Sequence, residues 1–258
     1  MKFNWMWSLI LLAALGFTAH AEEAKKTEEL KPAADEKEFK SMFNGKDLAG
    51  WEGDPTFWRV EDGMIIGETT KEKKMVNGNT FLIATADGKD ATYGDFEFRV
   101  SFRFAADRPF GNSGIQYRSK HFPDNKENKW VVGGYQADCD LKNQYTGICY
   151  EEKGRGIFCK FGKNMTVAAD GKKTETGTGA TEEQLKAARK PAGEWNDYIV
   201  ICKGSHCVQI LNGVVVAEFN DVEKGKSAAT GILALQMHAG AAMKIDFKNP
   251  RILVWDKK

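Results

Sequence analysis

The ten residues DFEFRVSFRF (95–104) alternate without a break. Phe96, Phe98, Val100, Phe102 and Phe104 fall on one face of a pleated strand, and Glu97, Arg99, Ser101 and Arg103 on the other. Five large apolar side chains at period two need a second apolar layer facing them, so this strand belongs to one sheet packed on another. The same signals recur along the chain. FWRVEDGMIIGE reads as a hairpin around Glu61-Asp62-Gly63, and LNGVVV sets Asn212-Gly213, a preferred two-residue hairpin turn, between two strands. TFLIAT, SGIQYRS, GGYQADCD, NDYIVICKG, CVQILNG, GILALQMHAG and AMKIDF read as further strands. A single helix is expected, from Thr181 to Arg189, where Thr181 and Gln184 form a capping box. The expected fold is all-β: a sandwich or jelly roll of two antiparallel sheets with one short helix.

Residues 1–21 stand apart. Lys2 precedes an apolar stretch from Trp5 to Phe17, and Ala19-His20-Ala21 ends it with small residues where a signal peptidase reads. This pattern predicts a cleavable signal peptide cut after Ala21, and a secreted or periplasmic protein. Residues 22–38 are charged and poor in aromatics, which predicts a disordered linker. No repeat or second linker follows, so 39–258 is expected to be one domain. Exported proteins can hold disulfides. Cys202 and Cys207 flank KGSH, an expected hairpin tip, and are either bridged across it or free; the pairing of Cys139, Cys149 and Cys159 stays open. Their spacing matches no zinc knuckle.

A formal net charge of +1 gives no field to attract nucleic acid or an anionic membrane, so the expected partner is a neutral or small ligand. The polar phases of four strands suggest where it binds. SGIQYRS offers Gln116 and Arg118, with Asn112 and Ser113 at its edge. GGYQADCD offers Gln136, Asp138 and Asp140, with Tyr135, Ala137 and Cys139 turned the other way. GILALQMHAG offers Gln236 and His238, with Leu233, Leu235 and Met237 facing the core, and DFEFRVSFRF offers Arg99 and Arg103. A solvated strand face is usually richer in Thr and Lys. Amide, guanidinium and carboxylate groups instead hold sugar hydroxyls in fixed planar geometry. TGICYEEKGRGIF adds Tyr150, and Arg155 on a Gly-Arg-Gly turn. Trp130, in the polar loop that begins at His121, is expected at the rim. Taken singly, each of these residues has a plain structural use; their joint occurrence is what points to an oligosaccharide or glycoside site. Asp138 is an acid, a base or one metal ligand, and His238 titrates nearest neutrality. A bound divalent ion is left open. There is no Gly-x-Ser-x-Gly elbow, no His-Glu-x-x-His and no Glu-x-Asp-x-Glu run that would give a sandwich glycosidase its carboxylate pair.

The ordered set FKSMFNGKDLAGWEG (39–53), WRVEDGMIIGE (58–68), YGDFEFRVSFRF (93–104), GNSGIQYRS (111–119), GGYQADCD (133–140), TGICYEEKGRGI (146–157), GEWNDYIVICKG (193–204), LNGVVVAEF (211–219), GILALQMHAG (231–240) and KIDFKNPRI (244–252) resembles the 3-keto-disaccharide hydrolase family. The resemblance covers nearly all of the expected domain. It implies a concanavalin A-like jelly roll and cleavage of glycosides already oxidised at C3 of the sugar. That reaction removes the C2 proton, expels the C1 substituent and adds water to the resulting enone, giving net hydrolysis. It implies His238 or Asp138 as base, and Arg118 or a divalent ion at the keto oxygen, with Arg103, Asn112, Gln116, Gln136, Tyr150, Arg155 and Gln236 holding substrate. Relatives commonly carry Gln-x-His-Gly; here one residue, Ala239, stands between His238 and Gly240. The competing readings are a non-catalytic glycan-binding module and a structural envelope protein with the same polar face.

Overall fold

The computed structural model describes residues 30–255. The expected signal peptide, and the first part of the expected linker, lie outside the described residues. No helix among the described residues is long and apolar enough to cross a membrane. The fold is the expected sandwich. One sheet runs, from edge to edge, Lys173–Gly177, Lys163–Val167, Val214–Asp221, His206–Leu211, Asn196–Lys203, Phe96–Phe104, Lys244–Val254, Met64–Glu68 and Trp58–Glu61. The other runs Gly156–Cys159, Cys149–Glu152, Val132–Asp140, Asn112–His121, Gly231–Met237, Thr80–Ala86 and Trp51–Glu52. Pairing is antiparallel except between Lys163–Val167 and Val214–Asp221, which run parallel. The one α-helix among the described residues, Glu182–Ala187, starts at Thr181, and the reciprocal Thr181–Gln184 capping bonds are both made.

Phe96, Phe98, Val100, Phe102 and Phe104 all point between the sheets and are buried. They meet Tyr117, Tyr135, Leu233, Leu235 and Met237 of the opposite sheet in one continuous cluster, which also holds Trp58. Each such side chain contributes about 1.5–3 kcal/mol by leaving water. Asp62-Gly63 and Asn212-Gly213 form two-residue turns with positive φ at both positions, as their hairpins require. Cys202 and Cys207 face each other across their hairpin and are disulfide-bonded. Cys139, Cys149 and Cys159 are free and buried.

Two polar groups expected at the site hold the scaffold instead. Arg103 lies on the outer face of the first sheet, bonded to Asp246 at 2.6 Å and stacked over Trp195. Arg155 closes one end of the sandwich. From a turn of the second sheet it bonds Asp221 at 2.6 Å and Glu223 at 2.8 Å, and also contacts Glu151. Asp221 in turn accepts from the buried Tyr135 hydroxyl. The end of the expected linker is also fixed in place: the Ala33 amide donates to Glu97, and Glu36 pairs with Arg99 and Arg251. Arg155→Ala leaves three carboxylates without their shared partner, so unfolding free energy should fall by about 3–5 kcal/mol, measured by denaturant titration.

Candidate active site

The second sheet presents its outer face, and a cavity of about 420 Å³ opens on it. Four adjacent strands and their ends supply the lining: Asn112, Gln136, Asp138, Tyr150, Glu152 and Gln236. His238, just beyond Gly231–Met237, completes one wall with Asn79. Tyr145, Ile148 and Ile157 make an apolar side. Six of the ten residues expected at a site therefore converge. They do so because the alternation of these strands is regular here: Tyr135, Ala137, Cys139, Leu235 and Met237 go to the core and their neighbours go outward.

Gln116 is not in the cavity lining. It is fully buried behind it, accepting from Ser119 Oγ at 2.7 Å and donating to Gln136 Oε1 at 2.7 Å. Gln136 Nε2 then donates to Asp138 Oδ2 at 3.3 Å. This chain of bonds fixes both amides and aims Gln136 at the carboxyl. Gly114 makes room for it: a Cβ there would come within 2.4 Å of Gln136 Cγ.

Arg118 departs from the expected face altogether. Its φ of 46° breaks the alternation, beside a register shift between Ile232 and Ala234 on the next strand. The buried guanidinium is carried to connections between strands, where it donates to the Gly94, Gly204 and Ala228 carbonyls and to Asp95. It does not reach the cavity, so it holds no substrate oxygen there. Asp140 is likewise structural, accepting from the amides of Gln144, Tyr145 and Thr146. Trp130 covers Phe81, Ile83, Val132, Ile232 and Ala234 on the adjoining part of the face rather than lining this cavity.

One histidine and two carboxyls share the cavity. His238 Nδ1 lies 2.6 Å from the Ala239 carbonyl oxygen. A carbonyl only accepts, so Nδ1 carries a proton, and in the neutral tautomer that this bond selects the lone pair lies on Nε2. Ala239, the next residue, supplies that carbonyl, and its own amide is held by Asn79 Oδ1 at 2.9 Å. Asp138 is raised well above the ordinary carboxylate range, chiefly by burial and further by Asp140 and Glu152, against an opposing effect of Gln136. Its Oδ1, and Oε1 of Gln236, are buried without a hydrogen-bond partner. Glu152 is raised by burial, with His238 pulling the other way. Gln236 Nε2 reaches it at 3.2 Å across the two strands between them.

Glu152 and Asn79 were not singled out from the sequence. Glu152 sits in the charged triplet Glu151-Glu152-Lys153, and the signal for it is alternation: it shares the phase of Tyr150, whereas Glu151 takes the other and turns to Arg155. Among the described residues no group of three or more His, Cys, Asp or Glu side chains is placed to hold a metal ion.

Residues 38–253 match the family model described as a 3-keto-alpha-glucoside-1,2-lyase-like domain. Among solved structures, a candidate glycosyl hydrolase from Parabacteroides distasonis ATCC 8503 is 21% identical, covering 87% of this chain and 99% of its own, with a TM-score of 0.54. A second candidate glycosyl hydrolase from that organism is 19% identical, covering 84% and 99%, with a TM-score of 0.51. A Bacillus subtilis protein of unknown function with a galectin-like fold is 9% identical, covering 82% and 92%, with a TM-score of 0.51. At these identities the likeness establishes a shared jelly-roll fold. No curated protein matches the sequence.

The buried carboxyl makes a stability prediction. The folded chain keeps the Asp138 proton that the unfolded chain releases near 3.8. The resulting stability is complete below that value and is lost as pH rises toward the folded value. An asparagine in its place carries no such penalty. Asp138→Asn should therefore be more stable than the parent near neutrality, and the gap in denaturant midpoint should widen between about pH 4 and pH 7. A gap that stays constant across this range contradicts a neutral Asp138. Gly114→Ala should instead displace Gln136 and weaken ligand binding, at about 1–3 kcal/mol of overpacking, seen by calorimetry and thermal unfolding.

Proposed function

This chain belongs to the 3-keto-alpha-glucoside-1,2-lyase-like family, and from that membership we propose that it is an exported enzyme that cleaves 3-keto-glycosides by elimination across C1 and C2. The observation that carries the reading is the pairing, in one cavity, of a histidine with its Nε2 lone pair free and a carboxyl kept neutral by burial. A ketone at C3 acidifies the C2 proton, so one well-placed base is enough to begin. His238 Nε2 takes that proton. Negative charge then develops on the C3 oxygen, where a protonated Asp138 donates to it in place of the expected arginine. The electron pair forms the C1–C2 double bond as the C1–oxygen bond breaks. Addition of water to the enone yields the hydrolysed sugar.

The remaining lining suits a sugar. Asn112, Gln136 and Gln236 present planar amides, and the buried Gln236 Oε1 without a partner is an acceptor for a hydroxyl. Tyr145, Tyr150, Ile148 and Ile157 offer the apolar surface against which a pyranose face rests. The signal-like first residues and the Cys202–Cys207 disulfide support export.

The purified protein should release a chromogenic aglycone from its 3-keto-glucoside and not from the unoxidised glucoside. His238→Ala should lower kcat/KM on the keto substrate by about 10²–10⁴-fold. Full activity in that variant removes His238 as the base. Sugar binding by calorimetry with no release from either substrate replaces the enzyme by a glycan-binding module.

A further inference from the structure

Elimination leaves one proton unassigned. When the C1–oxygen bond breaks, the departing oxygen carries the electron pair, and an alkoxide of a sugar or alcohol leaves poorly unless it is protonated as it goes. His238 is on the wrong side of this exchange, because it gains a proton in the same step. Asp138 lies on the floor, with Oδ2 held by Gln136 and Oδ1 buried. Only Glu152 remains among the carboxyls of the cavity.

Its position fits. Glu152 ends the strand Cys149–Glu152, just before the turn that carries Lys153 and Gly154, and is half-buried. Two strands separate its backbone from Gly231–Met237, but its carboxyl reaches across them to Gln236 and Asn79, so the acid lies beside the wall that carries His238. C1 and C2 are adjacent carbons, so neighbouring groups can serve both: His238 the C2 proton and Glu152 the oxygen leaving C1. Gln236 and Asn79 hold the carboxyl in place. Neither Lys153 nor any other cation bonds it among the described residues, whereas Glu151, its neighbour, is consumed by Arg155.

We propose that Glu152 is the catalytic acid that protonates the leaving-group oxygen, a role that rests on the elimination reading above. The step balances without an oxidant or reductant. The C2–H bond breaks to His238 Nε2, its electron pair passes through the enolate into the C1–C2 double bond, and the C1–oxygen bond breaks. The freed oxygen takes the Glu152 proton. Imidazolium and carboxylate remain, and proton exchange with water restores both. Burial favours the protonated carboxyl that this role needs.

The test is a series of 3-keto-glucosides whose leaving groups run from 2,4-dinitrophenol through 4-nitrophenol to methanol. A dinitrophenolate leaves without help; methoxide does not. Glu152→Gln should keep nearly the parent kcat/KM on the first and lose about 10²-fold or more on the last, so its rates depend more steeply on leaving-group pKa. His238→Ala should lose activity on all. Because the comparison is made within one variant, partial loss of folded protein lowers every rate equally and leaves the ratio intact. Glu152→Gln falling by one common factor across the series, or not falling at all, overturns the assignment. A parent protein inert toward the dinitrophenyl substrate overturns the elimination reading itself, and with it the role of Glu152; that outcome is told apart because the parent shares it.

Discussion

Register between the two sheets is the constraint on which this molecule depends. The phenylalanines of Phe96–Phe104 meet Tyr117, Tyr135, Leu235 and Met237 in one buried layer. A slip of one residue in any of these strands would put its aromatic side chains in water and its polar side chains into that layer. Burial of the inner face therefore settles the outer face as well. Gln136 and Asp138 emerge outward because Tyr135, Ala137 and Cys139 must not. The core does not touch a ligand, yet it determines which side chains can.

This explains what was legible in the sequence. Where a stretch of strand alternates cleanly, its outward residues can be named by counting, and Asn112, Gln136, Asp138 and Gln236 do share one cavity. Counting fails where the backbone leaves its period. Arg118 has a positive φ, and its guanidinium finds three carbonyls in connections between strands instead of the floor. Counting also does not say which sheet a strand joins. Arg103 alternates correctly, but its strand belongs to the other sheet, so its outward side faces away from the cavity. Arg155 was placed by a turn, and turns point where tertiary charge partners pull them. Glu152 was legible by counting and was missed: it shares the outward phase of Tyr150, while Glu151 takes the other.

The short segment after Gly231–Met237 sets the histidine. Ala239 follows it directly. Its carbonyl takes the His238 Nδ1 proton and its amide rests on Asn79. Phe110 packs edge-on against the ring, 6.0 Å between centroids. Orientation and tautomer of the histidine are thus held by one backbone group and one ring, with no carboxylate bonded to Nδ1. With Nδ1 bonded to a carbonyl, Nε2 is the ring nitrogen left to accept a proton, which suits the proposed abstraction of a proton that an adjacent ketone makes acidic.

The two carboxyls of the cavity invite comparison with a glycosidase pair, and the comparison argues against hydrolysis of a plain glycoside. Such a pair works because its members differ: one is protonated and gives its proton to the leaving oxygen, while the other is ionised and either attacks C1 or activates water. Here burial raises both Asp138 and Glu152 toward the neutral form, and a charge on Glu152 makes ionisation of Asp138 harder still. Among the described residues no cation bonds Asp138 to restore its charge, and the side chain that donates to it is the amide of Gln136. Burial thus works against the ionised nucleophile that such a pair needs and favours proton donation from both carboxyls. That balance matches an elimination, in which charge builds first on an enolate oxygen and then on a leaving oxygen. Each needs a proton or a hydrogen bond, and neither needs a carboxylate to attack carbon.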